Sequence, residues 1–284
     1  DAARGLAALE KVECWREAAE LALSLGDDVM AARAFHKAGD AVRSAEALQR
    51  AGDDKKAARQ LADHYRDREE LGLAAQCLEE VGDYAEAGDL FRQKGAFDRA
   101  ASCYRNQGDW SSAAEMYALE GEGASAADCY EKAGAFEQAA ECYSRLERED
   151  RAAENFERAG LYLRSARVFC SIQREEEAVA SLQKLTSQDP EFMEGSALLA
   201  ELFCARNQPE LAIHALEAAI GEAEIDRMNL VAFHALACAL ERSEKWLRCA
   251  ELYERILSLD ITYKDVAPRL VKVREQIARQ PQDV

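Results

Sequence analysis

Four histidines and nine cysteines are the side chains of this 284-residue sequence best suited to ligate a metal or to act as nucleophile and base. Either task needs company: zinc takes four nitrogen or sulfur donors, and a thiol nucleophile needs a base within hydrogen-bond reach. His36, His64 and His214 have no partner at ligand spacing. His234 and Cys238 stand four apart, on one face of a helix, but a zinc site there lacks two donors. The 54 Asp and Glu residues are so numerous that carboxylate pairs occur throughout, and none is singled out beside a base. No glycine-rich phosphate loop follows a strand pattern. The sequence therefore predicts no catalytic residue, no metal and no cofactor.

The charge balance narrows the field of partners. Lys and Arg number 36, giving a formal net charge of -18. A phosphate backbone or an anionic lipid surface is repelled by such a chain, so nucleic acid is excluded as the expected partner. Hydrophobic residues make up 49%, enough for a core, yet no apolar run approaches the roughly 18 residues of a membrane span, so direct membrane insertion is not expected. The opening Asp1-Ala2-Ala3-Arg4-Gly5 has no basic region followed by an apolar stretch. With reduced thiols this predicts a cytoplasmic protein, and the absent initiator Met predicts a segment of a longer chain.

The elements that position these residues follow from a repeat. Gly26, Gly39 and Gly52 are thirteen apart; after a four-residue slip at Tyr65 to Arg68 the beat resumes at Glu69 and runs through Gly82, Gly95, Gly108, Gly121, Gly134, Glu147 and Gly160. Small pairs such as Ala31-Ala32, Ala87-Gly88 and Ala113-Ala114 come five and six residues after a beat, and a large apolar residue (Phe35, Leu48, Leu61, Leu78, Phe91, Tyr104, Tyr117, Tyr130, Tyr143, Phe156, Phe169) comes nine after it. This spacing predicts one short amphipathic helix per beat. The glycine ends one helix in the left-handed conformation, and the Asp that often follows (Asp27, Asp40, Asp53, Asp83, Asp109) caps the next. Helices of about ten residues are marginal alone, so stability must come from stacking. The slip at Tyr65 predicts a longer helix. Cys77, Cys103, Cys129 and Cys142 fall eight residues after a beat. Equivalent positions on stacked helices are about 8 to 10 Å apart, beyond the roughly 7 Å a disulfide spans, so these thiols are expected to be packing residues.

In the last third, Ala178, Leu182 and Leu185 and then Ala212, Leu216 and Ala219 repeat at 34 residues, and Cys249, Tyr253 and Ile256 occupy equivalent places. With Tyr162, Ala166 and Phe169, with Leu199, Ala200 and Phe203, with Phe233, Leu236 and Ala237, and with Asp189-Pro190, this segment resembles the tetratricopeptide family. Upstream, Ala32, Ala58, Gly88, Ala114 and Ala140 match the small position of the family's first helix, Ala100, Ala126 and Ala152 match the second, and Trp110 matches an opening aromatic. The shortened hairpins also resemble the helical arrays of soluble NSF attachment proteins and intraflagellar-transport subunits. The resemblance implies an all-α fold: a right-handed α-solenoid of about nine antiparallel hairpins and a C-terminal capping helix. Residues 1–159 would hold the short hairpins, 160–262 the longer ones and 263–284 the cap and tail, in one continuous solenoid. Lys264, Arg269, Lys272 and Arg274 would make the cap a solvating one.

The resemblance also implies that first helices line the concave face, three, seven and ten residues after each beat. The projected lane carries Arg33, Lys55, Arg59, Asp89, Arg92, Glu115, Glu137, Glu141, Arg167 and Glu201, and includes Cys204, His234, Cys238 and Glu241. It is basic at its start and acidic in its middle, which would fix the direction of a bound segment. Glu115, Glu137 and Glu141 would repel the acidic tails that some members of this family clamp. The expected role is a non-enzymatic scaffold or adaptor binding a partner helix or extended peptide of basic or mixed charge near mid-groove. The alternative is a sensory or regulatory arm whose partner is an upstream domain of the same chain.

Overall fold

The computed structural model describes residues 2–279, and nineteen helices account for all regular structure among them. The first ten are α1 (Ala2–Lys11), α2 (Trp15–Ser24), α3 (Asp28–Lys37), α4 (Ala41–Arg50), α5 (Asp54–Asp67), α6 (Leu71–Glu80), α7 (Tyr84–Lys94), α8 (Phe97–Gln107), α9 (Trp110–Glu120) and α10 (Gly123–Ala133). Then come α11 (Phe136–Arg145), α12 (Glu149–Arg158), α13 (Tyr162–Ser171), α14 (Glu175–Leu182), α15 (Phe192–Ala205), α16 (Pro209–Ile220), α17 (Leu230–Arg242), α18 (Trp246–Leu259) and α19 (Val266–Arg279). Residues 280–284 of the expected tail lie outside the described residues. The chain divides into two compact units, 1–142 and 143–284, with the division inside α11.

The beat works as a backbone device. All nine beat glycines from Gly26 to Gly160 have φ between 73° and 87°, a region that costs a side chain dearly and glycine little. The next amide then donates back to a carbonyl five residues earlier, as Asp40 does to Phe35 at 3.0 Å and Asp109 to Tyr104 at 2.9 Å, satisfying groups the ending helix leaves open. The same conformation recurs without glycine at Glu13, Glu69, Glu147 and Gln173, so the thirteen-residue rhythm extends one beat beyond the glycines at each end. Asn207 and Glu244 close α15 and α17 in the same way. At the Tyr65 slip, α5 simply runs on to fourteen residues.

Asp27, Asp40, Asp53 and Asp109 cap the following helix through side-chain oxygens that accept from the amides of Met30, Arg43, Lys56 and Ser112. Asp83 departs from the expectation. It makes no cap bond, because its carboxylate faces Arg59 of α5 and accepts from that guanidinium at 2.9 and 3.1 Å.

In unit 1–142 each helix packs on the one before it and the one after it in sequence. The small pairs are buried at the crossings, and the Gly88 position shows how tight these are: a Cβ there would lie 2.9 Å from the Tyr104 ring. Offset-nine residues fill the adjoining space; Phe35, Leu78 and Phe91 are fully buried, while Leu61 and Tyr130 are half-buried. Next-nearest helices are joined by side chains. Arg43 of α4 lies over the Phe35 ring of α3, 5.5 Å from its centroid, and reaches Glu20 of α2 at 2.6 Å. Arg99 of α8 repeats the arrangement over Phe91 of α7, at 4.2 Å, and pairs with Glu79 of α6.

Unit 143–284 uses the same crossing and then enlarges it. Ser165 Oγ donates to the Ala153 carbonyl at 2.9 Å, as Ser44 donates to Ala32 at 2.8 Å in the other unit, and Cys249 Sγ fills that role toward Ala237 at 3.3 Å. From α15 onward the helices run 12 to 14 residues, and α15 packs on α17 as well as on α16. Leu216, Leu240, Tyr253 and Ile256 form a core of larger side chains there. None of the nine cysteines forms a disulfide, and burial pushes the Cys103 thiol up to about 11, the behaviour of a packing residue.

Candidate functional site

The predicted lane residues meet different fates. Arg33, Lys55 and Glu115 are exposed on α3, α5 and α9, and no described residue ion-pairs with them. Arg59 is held by Asp83. Asp89 accepts from Tyr104 Oη at 2.7 Å and from Arg92 at 3.1 Å, so both lane charges are engaged with each other. Arg167 of α13 reaches Glu194 of α15 at 2.5 Å. Glu137 is exposed and Glu141 half-buried on α11. Arg59, Asp89 and Arg167 of the lane thus tie their helices to later segments.

The last part of the lane forms a cavity. Glu201 and Cys204 of α15 and His234, Cys238 and Glu241 of α17 line a pocket of about 580 Å³, with Arg242, with Trp246 of α18 and with Arg269 of α19. It opens where α17 is flanked by α15 on one side and α19 on the other. Small residues, Ala200 and Ala235, make its floor.

A polar network organises one wall. Glu241 accepts from Tyr253 Oη at 2.7 Å and from Arg269 Nη1 at 3.0 Å, and Arg269 Nε donates to Asp265 at 2.6 Å. These bonds hold the Arg269 guanidinium firmly charged and the Asp265 carboxyl below its usual range. Arg269 is half-buried, a correction to the solvating role expected of it: it pairs with Glu241 of α17 and with Asp265, while Lys264, Lys272 and Arg274 are exposed and Arg274 reaches Glu254. Arg242 donates to the Cys204 carbonyl at 2.7 Å. Glu201 is exposed at the rim and has no ion-pair partner among the described residues.

His234 and Cys238 do come together, with Sγ 3.8 and 4.0 Å from the two ring nitrogens and Asp265 3.7 Å from Nε2. The electrostatics oppose a thiolate–imidazolium pair. Burial, then Lys264 and Arg269, lower the imidazole to about 4 against the pull of Asp265, while burial raises the Cys238 thiol. Both groups stay neutral at pH 7, the reverse of an activated nucleophile and base. Among the described residues no group of three or more His, Cys, Asp or Glu could hold a metal ion.

Sequence reasoning missed Trp246, Arg242 and Arg269 as pocket residues. Trp246 had a signal, since it opens α18 two residues after the Glu244 turn as Trp110 opens α9 two residues after Gly108. Arg269 had none, because Glu241, the partner that holds it in the pocket wall, lies on another helix 28 residues away.

No described helix is long and apolar enough to cross a membrane. No protein-family profile matches the chain, and no curated protein matches it. Among solved structures it is similar to the C-terminal part of a TPR repeat-containing protein from Cytophaga hutchinsonii, at 15% identity and TM-score 0.42, over 73% of this chain and 72% of that one. It is also similar to the TPR domain of P58(IPK), at 16% identity and TM-score 0.36 over 96% and 99% of the two chains. A tetratricopeptide repeat protein from Parabacteroides merdae matches at 17% identity and TM-score 0.36, over 84% and 98%. These three solved structures are described as tetratricopeptide-repeat proteins.

Proposed function

We propose that this chain is a non-enzymatic interaction scaffold that holds a segment of another protein, a helix or an extended peptide, at the pocket between α15, α17 and α19. The observation that carries the reading is the pocket itself: small apolar residues in its lining, a polar wall of Glu241 and Arg269 held from behind by the buried Tyr253, and a carboxylate, Glu201, with no ion-pair partner among the described residues. An apolar floor with few oriented polar groups is what a ligand-holding surface requires. The neutral Cys238 and His234 favour binding over catalysis. Of the remaining lane, Arg33, Lys55, Glu115, Glu137 and Glu141 lie outside this pocket, on α3, α5, α9 and α11, and would serve separate contacts with a partner. Arg59, Asp89, Arg92 and Arg167 contribute less, because each already has a partner. A reducing compartment such as the cytoplasm suits nine cysteines that form no disulfide.

The test is selection of displayed twelve-residue peptides on the full chain, followed by binding to the Ala235→Leu variant, which fills the pocket. Selected peptides are expected to lose at least about tenfold in affinity, equivalent to about 1.4 kcal/mol. Undiminished binding to the variant would remove the pocket from the proposal.

A further inference from the structure

All three tryptophans of this chain open a helix, and they are treated in two ways. Trp15 at the start of α2 is covered by Lys37 from the end of α3, with Nζ 4.1 Å from the ring centroid. Trp110 at the start of α9 is covered by Lys132 from the end of α10, at 4.5 Å. Tyr162 at the start of α13 receives Lys184 from just beyond α14, at 5.8 Å. In each case an ammonium from the following helix meets the negative face of the ring. Trp246 opens α18 in the same way, but none of the described cations lies over it. Its ring lines the pocket instead. The next helix begins only at Val266 after a longer link, so no helix end delivers a lysine there in the thirteen-residue rhythm.

We propose that the cation missing over Trp246 is supplied by the partner: the pocket is a subsite for an arginine or lysine side chain of the bound segment, its head over the Trp246 ring and its charge facing Glu201. The charges of the pocket agree. Glu201 and Glu241 stand with Arg242 and Arg269 in its lining, and Arg269 is already neutralised by Glu241 and by Asp265. Arg242 is turned onto the Cys204 carbonyl. Glu201 is left as the one pocket carboxylate that has no cation of its own among the described residues. The stem of the incoming side chain would lie along Ala200, Cys204 and Ala235, as long basic side chains do on apolar surface. This subsite rests on the scaffold reading and assigns the chemistry of its occupant.

The three tryptophan indole N–H signals report on the idea directly. Acetyl-arginine methylamide is titrated into the full chain under nuclear magnetic resonance, with acetyl-citrulline methylamide as the uncharged counterpart and Trp246→Phe to assign the signal. The expected result is a saturable shift of the Trp246 signal alone at about millimolar concentration, with Trp15 and Trp110 silent under their own lysines and citrulline at least about tenfold weaker. Glu201→Gln is expected to weaken arginine binding about five- to tenfold while leaving the melting temperature unchanged. A Trp246 signal that does not saturate, an equal response to citrulline, or a Glu201→Gln variant that binds as well would each overturn the subsite. Selected peptides that still depend on Ala235 would then show the scaffold reading standing without it.

Discussion

Helices α2 to α10 and helices α15 to α19 apply one crossing rule to opposite ends. In the first group, ten- or eleven-residue helices meet through alanine pairs, with only α5 longer; polar side chains left over at the edges bind one another, as Arg99 does across Phe91 to Glu79 and Arg59 does to Asp83. In the second, the added helical turn and side chains such as Leu216, Leu240 and Tyr253 hold helices over a wider face, and α17 is left with a hollow between its neighbours. Close packing fills its crossings with small side chains, whereas the wider packing leaves a cavity of about 580 Å³ beside α17. The difference teaches that longer helices with larger core residues can leave a hollow that the alanine crossings close.

The largest effect expected from breaking this comparison comes from adding the same side chain to both regions. Ala101→Leu, at a fully buried crossing of α8, should cost roughly 1–3 kcal/mol by overpacking, whereas Ala235→Leu has the pocket to enter and should cost under about 1 kcal/mol. Denaturant melts of the two variants measure this; equal losses would mean that the hollow is no looser than the crossings.

Acid should separate the regions next. His234 is held neutral in the fold, with its pKa lowered from 6.5 to about 4. The unfolded chain binds that proton first, so the contribution is fully present above pH 6.5 and is lost as pH falls from there toward 4. Melting temperature followed over that range should fall less steeply in His234→Gln than in the parent chain. Parallel curves would deny the imidazole its buried, neutral state.

A smaller loss should follow from Arg99→Ala. Its guanidinium is partly exposed, so the ring contact and the ion pair with Glu79 together amount to about 1 kcal/mol. A double-mutant cycle with Glu79→Ala should recover a coupling of about 0.5 kcal/mol, and zero coupling would mean that the tie between α6 and α8 is incidental.

How far the sequence reveals this molecule depends on the range of the interaction concerned. The beat was legible because a left-handed helix end selects glycine locally; Glu13 and Gln173 hold the same conformation and were missed because their side chains carry no such mark. Asp83 has the sequence position of a cap, yet Arg59 from the helix before last draws its carboxylate away. Local spacing placed Glu201, Cys204, His234, Cys238 and Glu241 on one lane, and these line the pocket. Its other walls, Trp246 and Arg269, depend on how α18 and α19 return to α17, which no short-range pattern records.

The most direct test of the central claim is hydrogen–deuterium exchange of the full chain with and without a selected peptide. The account predicts slower exchange in α15, α17 and the start of α19, with α2 to α10 unchanged. Protection confined to α2 to α10, with the α15–α17–α19 pocket exchanging as in the free chain, would contradict it.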